Sequence, residues 1–315
     1  MASVVLLDIQ RMSSEDGPGL RTTAFLKGCP LNCPWCHNPE SISFKPQVLW
    51  HGTRCIGCAG CVKVCPLHGI ELKPGGLERS SACIGCFACC EECPAGAHEG
   101  KGHETEVKAL ARQLVKDRAY WGKDGGVTLS GGEALMQEGM VDLLCILKFA
   151  GVHTALDTCG FVPAARLERA LAYTDLVLYD LKLADPVEHK ELTGVSNAVI
   201  LDNLKTVAAW AVKGGRLWIR TPIIPGATDS AANISGIAAI LNALPEGAVE
   251  RWELCAFNNL CGAKYKSLGL SWAYEGIPLM EKAMLEALVA LAEQTDCCPN
   301  IRWTGAAQRT ADSTS

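Results

Sequence analysis

Eleven of the 18 cysteines in this 315-residue chain fall into three spaced groups. Cys29, Cys33 and Cys36 form C-x3-C-x2-C. Cys55, Cys58, Cys61 and Cys65 form C-x2-C-x2-C-x3-C, followed by Pro66. Cys83, Cys86, Cys89 and Cys93, followed by Pro94, repeat that second pattern 28 residues later, down to a shared Cys-Ile-Gly-Cys. Spacings of this kind let a tight turn point successive thiolates at different metal atoms of one centre. The chemistry on offer is therefore metal–thiolate chemistry. Zinc is one candidate, since C-x2-C pairs suit tetrahedral sites. Zinc turns usually supply two ligands, however, whereas three come together here, which favours iron–sulfur. The plainer reading is a set of scattered buried thiols acting as small hydrophobes, and the regular spacing argues against it.

The repeated run is that of bacterial ferredoxins, in which the fourth cysteine of each copy ligates the other copy's cluster. On that rule one [4Fe–4S] cluster takes Cys55, Cys58, Cys61 and Cys93. The other takes Cys83, Cys86, Cys89 and Cys65. Cys90 could replace Cys89 by a one-residue slip, but the repeat favours Cys89. The first group has three thiolates and no fourth at matching spacing. A cube held that way leaves one iron open to an outside ligand, as a catalytic zinc keeps one position open. Trp35 and His37 flank Cys36, and taken alone they fit packing and surface equally well.

These groups need elements to hold them. Residues 3–8 read as a buried strand. Residues 51–100 are rich in Cys, Gly and Pro without a long helical pattern, which fits a cluster-nucleated insert. Apolar residues at helical spacing mark a helix within 104–118. Strands and helices then alternate: strands over 127–129, 152–157, 176–181, 216–224 and 249–257, and helices over 140–149, 164–172, 203–212, 234–244 and 279–293. Such alternation predicts parallel strands with crossover helices. In such folds functional residues gather at strand carboxyl ends, where Gly131-Gly132-Glu133, Asp157-Thr158 and Asp180-Leu181-Lys182 fall. Gln308 to Ser315 read as a frayed tail.

Composition narrows the class. Hydrophobic residues make up 49% and charged residues 20%, as in a globular protein of about two domains. With 29 basic and 34 acidic residues, a net charge of −5, the chain has no broad electrostatic claim on nucleic acid or anionic membrane. It has no apolar run of transmembrane length. Its amino terminus lacks the features of a signal peptide, so a reducing cytoplasm is the expected compartment.

The C-x3-C-x2-C group with Trp35 before its last cysteine resembles the radical S-adenosylmethionine (SAM) superfamily. Asp16-Gly17-Pro18-Gly19-Leu20-Arg21, Gly125 to Glu133, Leu156 to Gly160, Tyr179 to Lys182 and Glu191 to Val195 resemble glycyl-radical enzyme activating enzymes. The matches run from about residue 5 to 270. The resemblance implies an α/β architecture: a partial (β/α)6 radical SAM barrel over residues 1–50 and 101–315. A ferredoxin-like insertion with two clusters would occupy 51–100. It also implies three [4Fe–4S] clusters in all and SAM as cofactor. SAM is cleaved on the open iron to methionine and a 5′-deoxyadenosyl radical, which abstracts hydrogen from one glycine of a partner enzyme. Cys29, Cys33 and Cys36 would ligate the SAM cluster, with Trp35 and His37 on the adenine side. Gly131 and Gly132 would allow close backbone approach, and Glu133 would accept from the SAM ammonium. Asp157, Thr158 and Asp180, next to Leu181, would contact SAM with or without a monovalent cation, and Lys182 would pair with its carboxylate. The plainer reading of the two aspartates is strand-end capping. Asn258 stands where many relatives carry histidine; it keeps a hydrogen-bonding group but no cation.

The insert clusters would relay electrons from a ferredoxin or flavodoxin, or dock the partner. Cys145, Cys159, Cys255, Cys261, Cys297 and Cys298 read as core or surface thiols. The expected protein is a monomer that functions anaerobically and binds neither nucleic acid nor membrane. Two other functions compete: a radical SAM enzyme acting on a small molecule, and an electron-transfer protein whose barrel only carries clusters.

Overall fold

The computed structural model describes residues 2–308. The chain opens with an antiparallel pair, β1 (Ser3–Ser13) and β2 (Arg21–Leu26). Only Val4, Leu7 and Ser13 of β1 are buried, so it is less enclosed than the apolar reading of 3–8 suggests. It lies next to last in the sheet, with one short strand beyond it.

Residues 47–101 make a small unit with sheets of its own. It contains β3 (Gln47–Trp50), α1 (Gly60–Val64), β4 (Ile70–Lys73), β5 (Gly76–Arg79), α2 (Ala88–Glu92) and β6 (His98–Lys101). β3 pairs with β6 and β4 with β5, both antiparallel.

β7 (His103–Glu106) returns to the main sheet beside β1, and α3 (Val107–Leu114) follows. Strand–helix steps then repeat: β8 (Gly126–Gly131), α4 (Met140–Phe149), β9 (Thr154–Thr158), α5 (Ala164–Leu171), β10 (Leu176–Asp180), α6 (Pro186–Thr193) and α7 (Ala198–Ala211). They continue with β11 (Arg216–Ile223), α8 (Ala231–Asn242), β12 (Arg251–Ala256), α9 (Gly262–Ser267), α10 (Lys282–Glu293) and β13 (Ile301–Thr304). The nine-stranded sheet runs β13-β12-β11-β10-β9-β8-β2-β1-β7. β2 and β8 to β13 are parallel, and β1 is antiparallel to both neighbours. This is an α/β fold on a mixed, mostly parallel sheet. Residues from β1 across to β12 line one cavity, so the sheet curls around it.

Strand pleating sorts the side chains into two faces. On β10, Val177 and Tyr179 join the main core with the helices, while Leu176 and Leu178 meet Ala155 and Trp218 in a separate cluster. Arg21 is fully buried, donating to Thr128 Oγ1 (2.6 Å) and Val127 O (2.7 Å), so the arginine of the Asp16–Arg21 segment ties β2 to β8.

β2 and α6 escape the periodicity reading. Three successive buried residues of β2 are Arg21, Thr22 and Thr23, which show no apolar alternation. Gln308, read as part of a frayed tail, is pinned by hydrogen bonds to Met280 O (2.8 Å) and Leu279 O (2.5 Å). Residues 309–315 of that tail lie outside the described residues. Among the described residues no helix is long and apolar enough to cross a membrane.

Candidate active site

After Leu26 the chain enters the loop bearing Cys29, Cys33 and Cys36. Backbone hydrogen bonds fix its start: Gly132 N to Leu26 O (2.9 Å), Glu133 N to Gly28 O (2.8 Å) and Cys29 N to Ile42 O (3.0 Å). Two glycines permit this approach. A Cβ on Gly131 would stand 2.2 Å from Leu26 N and O, and one on Gly132 would stand 2.6 Å from Gly28 O. Asn32 N donates to Thr193 O (2.8 Å), which gives the Glu191–Val195 segment a structural place. From α9, Tyr265 Oη donates to Cys36 O (3.0 Å), while Lys264 Nζ reaches His37 O (3.2 Å), Asn38 Oδ1 (2.7 Å) and Glu40 Oε1 (2.9 Å).

The loop borders a cavity of about 430 Å³ at the carboxyl ends of the parallel strands, within the usual range for a small-molecule site. All three cysteines line it, with Trp35 and His37 beside them and Gly131 and Gly132 behind. Asp157, Asp180 and Lys182 form the far wall. Strand parity decides which motif residues face inward. Thr158 and Leu181, on the opposite parity, are buried away from the cavity.

Glu133 is also absent from the cavity wall. It is fully buried and accepts from Leu135 N (3.1 Å), Thr158 Oγ1 (2.9 Å) and Cys159 N (2.8 Å). It clamps the end of β8 to the end of β9, and burial raises its pKa. Asn258 Oδ1 accepts from Leu260 N (2.9 Å) in its own turn, and the residue does not line the cavity.

Two residues read as core or surface thiols prove to line the cavity, Cys159 and Cys255. Both sit on the inward parity, at Asp157+2 and Glu253+2. Arg220 is a third residue the motifs did not mark. It lines the cavity 3.8 Å from Asp157 and 3.7 Å from Glu253. Its sequence signal was a cation in mid-strand, flanked by Leu217, Trp218, Ile219 and Ile223 in Arg216–Ile223.

Charge is organised across this wall. Lys182 Nζ lies 2.6 Å from Asp180 Oδ2. Burial alone would lower the Lys182 pKa, but Asp180 and the nearby thiols outweigh it and hold it above the ordinary value. Asp157 accepts from Ser130 Oγ (2.7 Å), and burial pushes its carboxyl up to about 7 despite Arg220.

The thiols suit a cluster. Burial pushes Cys33 up to about 11 and Cys36 up to about 12, so without metal both stay protonated. Metal binding would release those protons. Cys29 is lowered, chiefly by a hydrogen bond with Cys159, whose own pKa is raised by that bond and by burial. Cys159 thus stands beside Cys29 at the cavity as a buried neighbouring thiol. Among the described residues no three His, Cys, Asp or Glu side chains converge as a single ion requires.

In the insert the repeat extends to the backbone. Left-handed φ values recur at Gly57 and Gly85 (72° and 67°), Ala59 and Phe87 (55° and 65°), and His68 and Gly96 (49° and 57°). Each pair is 28 residues apart. Cys65, Cys83, Cys86 and Cys89 line one small cavity together, and Cys90 does not. Burial raises the Cys61 thiol, and Cys89, Cys55 and Cys58 all lie close enough to add to the rise. α1 packs against α2, the helix that ends at Cys93.

The profile described as radical SAM superfamily matches residues 81–234, and that of a 4Fe-4S single cluster domain matches residues 15–64. The trans-4-hydroxy-L-proline dehydratase activating enzyme of Clostridioides difficile is 37% identical over 298 residues, covering 93% of this chain and 97% of the relative. The pyruvate formate-lyase 2-activating enzyme of Escherichia coli (strain K12) is 33% identical over 294 residues, covering 92% and 89%. The crystal structure of Streptococcus suis SuiB bound to precursor peptide SuiA shares the fold, with a TM-score of 0.52 and 13% identity over 88% of this chain and 47% of that one. On sequence and fold together, this chain belongs to the glycyl-radical enzyme activating enzymes of the radical SAM superfamily.

Proposed function

We propose that the chain activates a partner glycyl-radical enzyme, using SAM bound to a [4Fe–4S] cluster on Cys29, Cys33 and Cys36. The carrying observation is that all three thiols of the C-x3-C-x2-C group border one cavity at the strand carboxyl ends. The relatives at 37% and 33% identity over about nine-tenths of the chain are named activating enzymes, which supports the reading. When bound, the reduced cluster supplies one electron to the SAM sulfonium, and the adenosyl fragment released takes a hydrogen atom from a partner glycine.

The chain's own residues bind and orient. Lys182, charged and held by Asp180, is aimed to pair with the SAM carboxylate. Asp157 and Asp180 offer acceptors to its ammonium or hydroxyls, with or without a monovalent cation. Trp35 and His37 form the wall by the cysteine loop that suits the adenine. Glu133 and Thr158 act one step back, keeping the ends of β8 and β9 in register, and Leu181 fills the core behind Lys182.

We read the main sheet with its helices as a partial (β/α)6 barrel over residues 1–50 and 101–315. Residues 51–100, closed by the β3–β6 pair, read as a ferredoxin-like insertion with two further [4Fe–4S] clusters, three in all. Cys55, Cys58, Cys61 and Cys93 hold one; Cys83, Cys86, Cys89 and Cys65 hold the other. When loaded, these cysteines would hold centres able to pass electrons from a ferredoxin or flavodoxin towards the SAM cluster, in a cytoplasmic, monomeric enzyme. The test is electron paramagnetic resonance (EPR) of the reduced protein, SAM and a partner carrying a glycyl-radical site. A glycyl doublet is expected; 5′-deoxyadenosine formed without any protein radical would favour a small-molecule substrate.

A further inference from the structure

The insert repeats itself every 28 residues, so differences at equivalent positions distinguish the two clusters it holds. Arg79, four residues before Cys83, corresponds to His51, four before Cys55. Arg79 Nη1 lies 3.6 Å from Cys83 Sγ and 3.8 Å from Cys89 Sγ. Its Nη2 lies 3.3 Å from Nδ1 of the buried His98, which holds the guanidinium in place. His51 turns away from its cysteines: its Nε2 meets Glu99 Oε2 (2.9 Å) and its Nδ1 lies 3.4 Å from Ser267 Oγ on α9.

The backbone donors, by contrast, match. Gly69 N donates to Cys65 Sγ (3.2 Å) and Ala97 N to Cys93 Sγ (3.3 Å). A carboxylate stands on the other side of the asymmetry. A Cβ placed on Gly60 would lie 3.4 Å from Glu92 Oε1 and 3.8 Å from Cys58 Sγ, and Glu92 has Val64 as its repeat equivalent.

We propose that Arg79 makes the insert clusters unequal, so that the one on Cys65, Cys83, Cys86 and Cys89 takes up an electron at a higher potential than the one on Cys55, Cys58, Cys61 and Cys93. This rests on the two-cluster reading of the insert. One electron passes from a reduced one-electron donor to the cluster, and no bond is made or broken. The cluster and its sulfurs gain one negative charge. Hydrogen bonds to the sulfurs and local net charge set cluster potentials, and a guanidinium N–H shared between Cys83 Sγ and Cys89 Sγ stabilises the more negative state.

The experiment is EPR-monitored potentiometry of the full chain with Cys29, Cys33 and Cys36 replaced by Ala, so that only insert clusters report. Two separate one-electron waves are expected. Arg79→Leu should lower the upper wave until its reduced-to-oxidised ratio at a fixed potential falls at least tenfold, or 59 mV, and leave the lower wave in place. Arg79→Lys, which keeps the charge but loses the Nη2 contact to His98 that holds the donor in place, should shift it less. Unmoved waves, or an equal shift of both, would overturn the proposal. If Arg79→Leu loses iron, Arg79→Gln takes its place, with a lowered upper wave expected and an unmoved one overturning. Unmutated insert with no cluster signal would instead overturn the two-cluster reading.

Discussion

Around Cys29 the chain rests on a finished core. Ala24, Leu26, Val127 and Leu129 are fully buried beneath the loop, and its backbone is tied to the end of β8. Between Cys55 and Cys93 the support is of another kind. The buried cluster of that unit consists of Val48, Ile70 and Cys89, and α1 has no buried residue. A segment this small cannot bury enough apolar surface to hold its shape, and units of that size lean on metals. Metal-binding free energy is then folding free energy. On the proposed reading, the main sheet brings three cysteines to a cluster on a core already built, whereas in residues 51–100 clusters would stand in for a core.

The comparison is most severely strained by Cys33→Ala. It should reduce SAM cleavage, read as 5′-deoxyadenosine by chromatography, to background while the insert retains its iron; retained cleavage would end the assignment. Stripping iron by chelation comes next. Residues 51–100 should become open to limited proteolysis while the remainder keeps a cooperative thermal transition. Simultaneous collapse of both regions would erase the distinction. Gly131→Ala attacks the loop's anchorage, since φ is +132° and a Cβ would stand 2.2 Å from Leu26 N and O. A loss on the order of 3 kcal/mol is expected in denaturant unfolding, and a loss within error would mean the approach is not needed.

A smaller effect tests the cavity wall. The Asp157 carboxyl titrates at about 7 in the folded chain against an ordinary 3.8. The native state therefore holds the extra proton between those values, and stability falls as pH rises through that window. Asp157→Asn removes this fall. Its unfolding midpoint, measured without SAM, should gain on the wild type between pH 4 and 7, by on the order of 2 kcal/mol, and stay level above. A gap that is constant from pH 4 to 8 would contradict the shift. Least of all, Tyr265→Phe deletes the hydrogen bond to Cys36 O and should cost about 1 kcal/mol, read by thermal unfolding; no change would make α9 a bystander to the loop.

Much of this was legible in the residues. α4 spans Met140–Phe149 as its apolar pattern predicts, and Gly151 follows with φ +67°. α6 was not seen because it buries only His189 and Thr193, although Asp185 at its N-cap, Pro186 at its first position and Gly194 at its end announce it. The strand-end motifs were placed correctly along the chain but not around it. Asp157 and Asp180 face the cavity while Thr158 and Leu181 do not, a distinction that strand parity alone could have drawn. Glu133 was harder. Its three donors come from Leu135, Thr158 and Cys159, and the latter two lie on another strand end that only the folded chain brings near.

The central claim is that the cluster on Cys29, Cys33 and Cys36 presents an open iron to SAM. Electron–nuclear double resonance of the reduced protein, with SAM labelled with nitrogen-15 in its amino group, addresses it most directly. A hyperfine coupling between that nitrogen and the cluster spin, lost in Cys33→Ala and kept in Cys58→Ala, is the predicted result. No coupling, or a coupling that survives Cys33→Ala, would contradict the account.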